Sequence, residues 1–529
     1  MTTNEADRRS WTLSHLRAGI WLVVLVVAPT LLTMTLLSRP KAGKGAIALQ
    51  NKCLIAAIIV TAIATTDFLR NRRNRGATFR MLAAGACGLV VALIIWNKLF
   101  LHYIAATGFT ENTFRSVFHT IYAPLYGRVQ FSKRSWWIVM MIAAALLLLW
   151  EVSRNRPAIW RIALAQLALT IAFAGTESVA RVRDYFAEFG PFESDLGKFS
   201  GLFDLMRHYV QTMPELSHFG SHYPPGFLVL FLTGKFGGSH LLVKSLTLLL
   251  PVLALFPLRA LALELGLSER AAALSAALMA SSAGILIFPT ITPIGALVFI
   301  SCTCLWLLAR AIKRGEWWAA SVFGLCFAIY VFFSFASYML AMLMAMFLLI
   351  GLINRSIPLR RAATVIAIAV GTFAIFFLCL RLIFGFDIIA CFKMASAMHL
   401  KDPGHGFDTP VRYLFRSTGG IIAYLVSTSF AIAILAIAAA FRGENQSPLW
   451  RALVLGSLMG ILLSGFSGMS FLETERIWLI FTPALAVLAG AELEGREQRE
   501  GKMVAVGVVL FALTFSCAYE LVFRHHLSG

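Results

Sequence analysis

Charge is scarce in this chain of 529 residues, and negative charge is scarcer still. Asp, Glu, Lys and Arg together make up 14 % of the residues, against roughly 25 % in an ordinary soluble domain. Only 26 of them are acids, facing 46 Lys and Arg. So little charge excludes a disordered tail protein and an ordinary soluble enzyme. Cysteine is sparse too: of eight, Cys391 falls in a loop and the rest in apolar runs, so there is no secreted disulfide framework. Cys302 and Cys304 stand two apart and so lie on different faces of a helix, which argues against a metal site there. Gly-rich phosphate loops and dinucleotide fingerprints are missing as well, which removes the usual nucleotide sites.

Apolar surface is what the chain has in excess. Ala, Val, Ile, Leu, Met, Phe, Trp, Tyr and Cys are 59 % of it, and the mean hydropathy is +0.78. A water-facing core stops growing near 250–300 residues, so the solvent for this surface must be lipid. Runs long enough to cross a bilayer as a helix recur near 19–37, 53–69, 81–105, 135–150, 160–177, 240–262, 271–288, 294–312, 317–334, 336–353, 362–384, 419–441, 452–467, 477–490 and 503–522. The expectation is an all-α polytopic membrane protein of about 13–15 transmembrane helices with long external loops at 178–224 and 385–418. The apolar segment 225–236 is too short to cross and reads as interfacial or re-entrant. No small-residue cleavage site follows the first run, which therefore reads as a retained anchor.

The net charge of +20 has a topological explanation. With the N-terminus in the cytoplasm, the short loops on that side hold about half of all Lys and Arg, as the positive-inside rule requires. Arg70-Asn71-Arg72-Arg73-Asn74-Arg75 is the clearest such signal. No basic run is interleaved with stacking aromatics, so nucleic acid is not an expected partner. Membrane lipid is.

The acids gather on the opposite side. Glu177, Asp184, Glu188, Glu193, Asp195, Asp204 and Glu215 stand within 177–224, and the segment ends in His218-Phe219-Gly220-Ser221-His222-Tyr223-Pro224-Pro225-Gly226. Two prolines fix φ there and bar an earlier helix start, which pins His222 and Tyr223 at the membrane surface. Asp204 and His208 share a helix face, with Arg207 three residues from Asp204. A second cluster is Glu473-Thr474-Glu475-Arg476-Ile477-Trp478, two acids and a guanidinium at the mouth of a span, where ionisable groups are costly unless paired or functional. A guanidinium suits bidentate contact with phosphate or pyrophosphate. The turn Pro289-Thr290-Ile291-Thr292-Pro293 is expected to present its hydroxyls on the same side. All four segments, 178–224, 289–293, 385–418 and 468–476, are expected to converge on one outer-face cavity.

The acidic loop that runs into a His-x-Pro-Pro-Gly end resembles that of C-type (GT-C) membrane glycosyltransferases, with bacterial relatives of the protein mannosyltransferase and aminoarabinose transferase group as the nearest likeness. Glu473-Thr474-Glu475-Arg476-Ile477-Trp478 resembles a late element of such proteins, and Gly385-Phe386-Asp387 with Arg412–Gly420 resembles their third external loop. The likeness covers about 160–480, leaving 1–155 as a four-helix N-terminal extension and 156–529 as the catalytic core. Family members commonly carry His directly before Pro-Pro; here Tyr223 intervenes, and either His222 or Tyr223 fills that role. The resemblance implies an enzyme of a bacterial-type inner membrane that moves a sugar from a polyprenyl-phosphate donor to a cell-envelope acceptor on the outer face, by single displacement with inversion. It implies Asp195 as base, with Glu193 and Asp204 as alternatives. Arg476 would hold the departing phosphate, helped by Arg207, His218 and His222, while Glu473 or Glu475 would orient the arginine or bind sugar hydroxyls. No cofactor is required, although acidic-loop carboxylates could ligate a divalent metal. An O-antigen ligase or polymerase, or a transporter or flippase of lipid-linked substrates, are the competing readings, the latter disfavoured by spans that read as clean.

Overall fold

A computed structural model describes residues 77–88, 135–177, 189–236, 240–399, 410–441, 447–467 and 474–522, with a few isolated positions before residue 100. Among these, every regular element is a helix and none is a strand. The expected spans near 19–37 and 53–69 lie outside the described residues, as does most of the expected N-terminal extension. Its last helix, Ser135–Ser153, packs on Ile159–Glu177 and on Met503–Val522.

Seven described helices are long and apolar enough to cross a membrane, or up to nine if each of two bent pairs counts as one span. The chain is an integral membrane protein. The apolar helices Trp317–Phe333 and Ser337–Ile353 are shorter, and Gly226–Phe236, at 11 residues, is too short to cross, as its length in sequence implied. Burial separates centre from rim: 83 % of the span in Trp478–Glu500 is enclosed by protein but only 17 % of that in Leu359–Phe384. Leu359, Leu382 and Ile383 accordingly face outward, as lipid-bathed side chains should.

Lipid offers no hydrophobic drive for helices to associate, so close approach through small residues does that work. A Cβ on Gly490 would lie 2.1 Å from Ser275 Oγ, which fixes Thr482–Glu500 against Glu269–Ala280. Gly456 and Gly460, four apart, bring Pro448–Phe466 onto the backbone of Phe347 and Leu343 in Ser337–Ile353.

Two runs that read as clean spans are broken. Glu269–Ala280 and Ala283–Thr290 meet at 62°, and Ser417–Ser427 and Phe430–Ala440 at 109°. The breaks fall at Ser281-Ser282 and at Ser427-Thr428-Ser429, all fully buried. Ser281 and Ser427 donate their hydroxyls back to Leu278 O and Tyr424 O at 2.9 Å, the local bonding by which such residues compete with a helix ladder. Ser429 takes φ of 89°, a left-handed conformation rare for a side-chain-bearing residue. Hydropathy alone does not register these bends, because serine and threonine barely lower it.

The short basic loops come together on one face. Arg270 donates to Glu497 and to Val152 O and Arg154 O, at the C-terminal end of Ser135–Ser153. Arg314 and Lys313 hold Glu264, Arg310 holds Glu316, and Arg361 donates to Ile312 O and Lys313 O. Arg154 and Arg161 pair with Glu151 and sit over Trp150 and Trp160. Trp150 and Trp160 are more than half exposed, where an interfacial aromatic belt is expected. This face holds Glu151, Glu264, Glu269, Glu316, Glu492, Glu497 and Glu500 as partners for its cations, and Glu494 accepts from the Ser268 hydroxyl. The acids are therefore divided between the two faces, which corrects the impression that they gather opposite the basic loops.

Candidate active site

On the other face the acidic segment folds into short pieces: helix Phe189–Leu196, helix Leu202–Thr212, a 3-10 turn Met213–Glu215 and helix His218–His222, running into Gly226–Phe236. Asp195 ties the two ends together. Its Oδ1 accepts from Ser217 N at 2.8 Å and its Oδ2 from Ser217 Oγ at 2.5 Å. Ser217 in turn caps the last helix, its Oγ accepting from Gly220 N at 3.2 Å. Asp195 is buried, and a Cβ on Gly220 would stand 2.3 Å from its Oδ2, so only glycine admits the carboxylate this closely. The Tyr209 hydroxyl lies 2.6 Å from both Gly220 O and Tyr223 O. Burial pushes that phenol well above its usual range, so it remains a donor at any physiological pH.

The result is a rigid His222-Tyr223-Pro224 corner. His222 is half-buried, its Nδ1 2.8 Å from Ser221 Oγ. Tyr223 packs edge-on against Phe227 at 6.2 Å. Gly226 passes so close to the neighbouring chain that a Cβ would be 2.5 Å from Phe332 O, which accounts for glycine after the two prolines. The His218 side chain lies outside the described residues.

The remaining acids stand apart. Glu193 is exposed. Asp204 accepts from Ser200 N at 2.8 Å and lies 2.7 Å from His208 Nδ1, as the four-residue spacing predicts. The Ser200 amide first, then His208, holds its carboxyl below the ordinary value. Arg207 is exposed and lies beneath Gly385, whose φ of 77° ends Leu359–Phe384. Past that glycine, Asp387 caps Ile388–His399 by accepting from Ile389 N and Ala390 N at 2.9 and 3.0 Å. Phe386 packs on Tyr209 at 6.4 Å, and Cys391 Sγ meets Met213 Sδ at 3.8 Å. The segments 189–222 and 385–399 thus form one body, as expected of the two long loops.

Arg476 belongs to a second cluster. It lies in the short helix Thr474–Ile477, packed against Pro410–Ser427, and is only 7 % exposed. Burial pulls its guanidinium down to about 10, so it stays charged at neutral pH. Glu473 and the Glu475 side chain lie outside the described residues. The two clusters are bridged by the corner 333–338: Phe333 packs on Phe227 at 5.2 Å, Phe335 on Phe392 at 5.3 Å, and Tyr338 OH lies 3.4 Å from Ser467 Oγ. One expectation fails. Thr290 and Thr292 are buried, and their hydroxyls turn back to Ile287 O and Phe288 O, so the turn 289–293 presents neither hydroxyl at the protein surface. Tyr209 and Ser217, which hold the corner in place, escaped the sequence reading. Tyr209 stands five residues after Asp204 in a polar helix, and only its later contact with Gly220 and Tyr223 gives it meaning.

No protein-family model and no curated protein matches the sequence. Among solved structures, the chain is similar to the Archaeoglobus fulgidus oligosaccharyltransferase. Against its complex with Zn and sulfate the TM-score is 0.41 with 15 % identity, covering 67 % of this chain and 53 % of that one. Against the enzyme, AglB, in complex with an inhibitory peptide and a dolichol-phosphate, the TM-score is 0.41 with 14 % identity, covering 73 % and 55 %. Against the apo form it is 0.40 with 13 %, covering 73 % and 56 %. The chain spans about half the length of the solved structures it matches.

Proposed function

We propose that this chain is a membrane glycosyltransferase of a bacterial-type inner membrane, moving a sugar from a polyprenyl-phosphate donor to a cell-envelope glycan, lipid or protein at the outer face. The observation that carries the reading is the braced corner: a buried aspartate, a serine cap and a buried tyrosine hold His222 and Tyr223 rigid opposite the basic face. Fixed groups on a rigid scaffold, across the membrane from the cation-rich loops, are what a site for transfer outside the cytoplasm needs. The GT-C resemblance of the same residues supplies the chemistry.

In that chemistry an acceptor hydroxyl attacks C1 of the sugar. The new O–C1 bond forms as the C1–O bond to phosphate breaks, with inversion, and the phosphate leaves with the electron pair. A carboxylate takes the hydroxyl proton. It is drawn from Asp195, Glu193 and Asp204. With both oxygens engaged by Ser217, Asp195 serves as base only once substrate displaces that contact; Glu193 is exposed already. Arg476, charged and held in a low-dielectric setting, stabilises the leaving phosphate, with Arg207, His222 and His218 as helpers and Glu473 or Glu475 orienting the guanidinium or sugar. Among the described residues no three His, Cys, Asp or Glu side chains come together as metal ligands.

A second reading, transport of a lipid-linked substrate, is favoured by the two broken spans with buried hydroxyls, since discontinuous helices line many transporter sites. Purified protein in vesicles, given a labelled polyprenyl-phosphate sugar and an envelope acceptor, separates the two. Glycosylated acceptor supports the transferase; label crossing the bilayer with no glycosidic product supports the transporter. Asp195→Asn, Glu193→Gln and Asp204→Asn retaining full transfer would remove the proposed bases.

A further inference from the structure

The basic face does not treat its cations alike. Arg270, Arg310, Arg314 and Arg496 pair with acids, and Arg361 donates to carbonyls. Arg355, Arg360 and Arg451 are exposed, and their guanidiniums have no acid or carbonyl partner among the described residues. The three stand where helix ends meet. Ser337–Ile353 finishes, the loop 354–358 turns, and Leu359–Phe384 begins. Asn354 ties this loop to the start of Pro448–Phe466, its side-chain amide donating to Pro448 O at 3.0 Å.

Each of the three sits where the local structure disfavours it. Arg360 and Arg451 lie at the starts of two helices that carry no acid in their first turns. A helix N-terminus is the positive end of the dipole and is complemented by acids. Glu269 and Glu316 follow that rule on the same face, at the starts of Glu269–Ala280 and Trp317–Phe333. Arg355 has a φ of 59°, in the slot past a helix end that glycine usually fills. The turn around it is closed by Ile357 N, which donates to Gly351 O at 3.0 Å. The positive-inside rule asks only for cations on one side and says nothing of where in a loop they stand. Three unpaired guanidiniums at one junction, each at a local cost, point to an anion as their common partner.

The apolar neighbours say where that anion comes from. Ile353 and Leu359, on either side of the loop, are each 72 % exposed. Such side chains belong in lipid, which sets the guanidiniums beside them at the level of the phospholipid headgroups. We propose that the junction of residues 353–360 and 448–451 binds the headgroup of an anionic phospholipid. Arg355, Arg360 and Arg451 donate to its phosphate oxygens, while Ile353 and Leu359 meet its acyl chains. The planar fork of arginine, which holds two phosphate oxygens at once, suits the part. Leu359–Phe384 is the least enclosed of the described spans, and the lipid fastens its start to two better-packed helices. The site lies on the face opposite the His222 corner and stands independently of the transferase reading.

The test is native mass spectrometry of the full-length protein in detergent, with phosphatidylglycerol and phosphatidylcholine titrated in competition. One arginine beside an anionic headgroup is worth a factor of about five, and three a factor of about 100. The proposal therefore expects phosphatidylglycerol to be preferred by about 100-fold. Arg355→Gly, Arg360→Gln and Arg451→Gln should each lower that preference about fivefold, and the triple variant should remove it. None of the three should lower the melting temperature in neutral detergent, because each relieves a local cost, so lost binding is not lost folding. Arg156→Gln removes the same charge from the exposed loop between Ser135–Ser153 and Ile159–Glu177, and should leave the preference unchanged. Equal binding of the two lipids, or a preference that survives in the triple variant, would overturn the proposal. So would an equal loss in Arg156→Gln, which would show that the charge of the whole face, and not this junction, attracts the lipid.

Discussion

Replacing Asp195 by Asn tests whether the corner is braced as described. The carboxylate takes two hydrogen bonds from Ser217, and bonds to a charged group contribute about 1.5–3 kcal/mol each. Asn keeps one acceptor oxygen, enough for Ser217 N, and turns an amide NH2 toward Ser217 Oγ. One charge-assisted bond is therefore lost, about 1.5–3 kcal/mol of local stability. The loss is confined to the loop, so the assay is amide hydrogen exchange at Ser217, Gly220 and Ser221. Protection there should fall by roughly 10- to 100-fold, since each 1.4 kcal/mol is a factor of ten, while Thr482–Glu500 is unchanged. A double-mutant cycle with Ser217→Ala should return a coupling of about 1–2 kcal/mol. Unchanged protection in Asp195→Asn, or a coupling near zero, would refute the bracing role. The same pair separates bracing from proton transfer: a base lost in Asp195→Asn abolishes sugar transfer where Ser217→Ala only reduces it, whereas a pure brace makes the two variants equally impaired.

Tyr209→Phe should leave Gly220 O and Tyr223 O without their buried donor, costing about 1–3 kcal/mol and loosening the corner, visible as faster exchange at Tyr223. Gly490→Val should force Thr482–Glu500 away from Ser275 and lower stability by about 1–3 kcal/mol or more, read as a drop in melting temperature in detergent. Asp387 is held below its usual value of 3.8, mainly by the Ala390 amide and then that of Ile389. Its cap on Ile388–His399 is therefore fully present above pH 3.8 and lost as pH falls through the lowered native value. Asp387→Ala should cost about 0.5–2 kcal/mol at neutral pH and nothing at a pH below that native value, followed by thermal melts across the acid range.

Much of the fold was legible because lipid imposes a simple rule: apolar runs of sufficient length become helices, and cations crowd one side. The runs at 135–150, 160–177, 240–262, 294–312, 362–384 and 452–467 appear as helices within a few residues, and the basic loops meet on one face. The bends at Ser281-Ser282 and Ser427–Ser429 were not legible, because a helix break set by hydroxyl back-bonding leaves hydropathy almost untouched. The burial of Thr290 and Thr292 was missed for a related reason, since a Pro-flanked turn reads as exposed whether or not other helices cover it. At the candidate site, Asp195 came from the family resemblance, His222 and Tyr223 from the two prolines that follow them, and Arg476 from being a guanidinium at the mouth of a span. Nothing in the sequence marked Tyr209 or Ser217. Their roles depend on partners 11 to 22 residues away in sequence, and a hydroxyl carries no charge to mark it out.

The most direct test of the central claim is the stereochemistry of a single turnover. Purified protein in proteoliposomes, supplied with a polyprenyl-phosphate sugar of known anomeric configuration and an envelope acceptor, should release polyprenyl phosphate and yield a glycoside of the opposite configuration. Arg476→Gln should slow that release by about 100-fold or more if its charge stabilises the leaving phosphate. Retention of configuration would contradict the single displacement. Full activity in Arg476→Gln would contradict its assigned part, and the absence of any glycosidic product while intact donor crosses the bilayer would contradict the transferase itself.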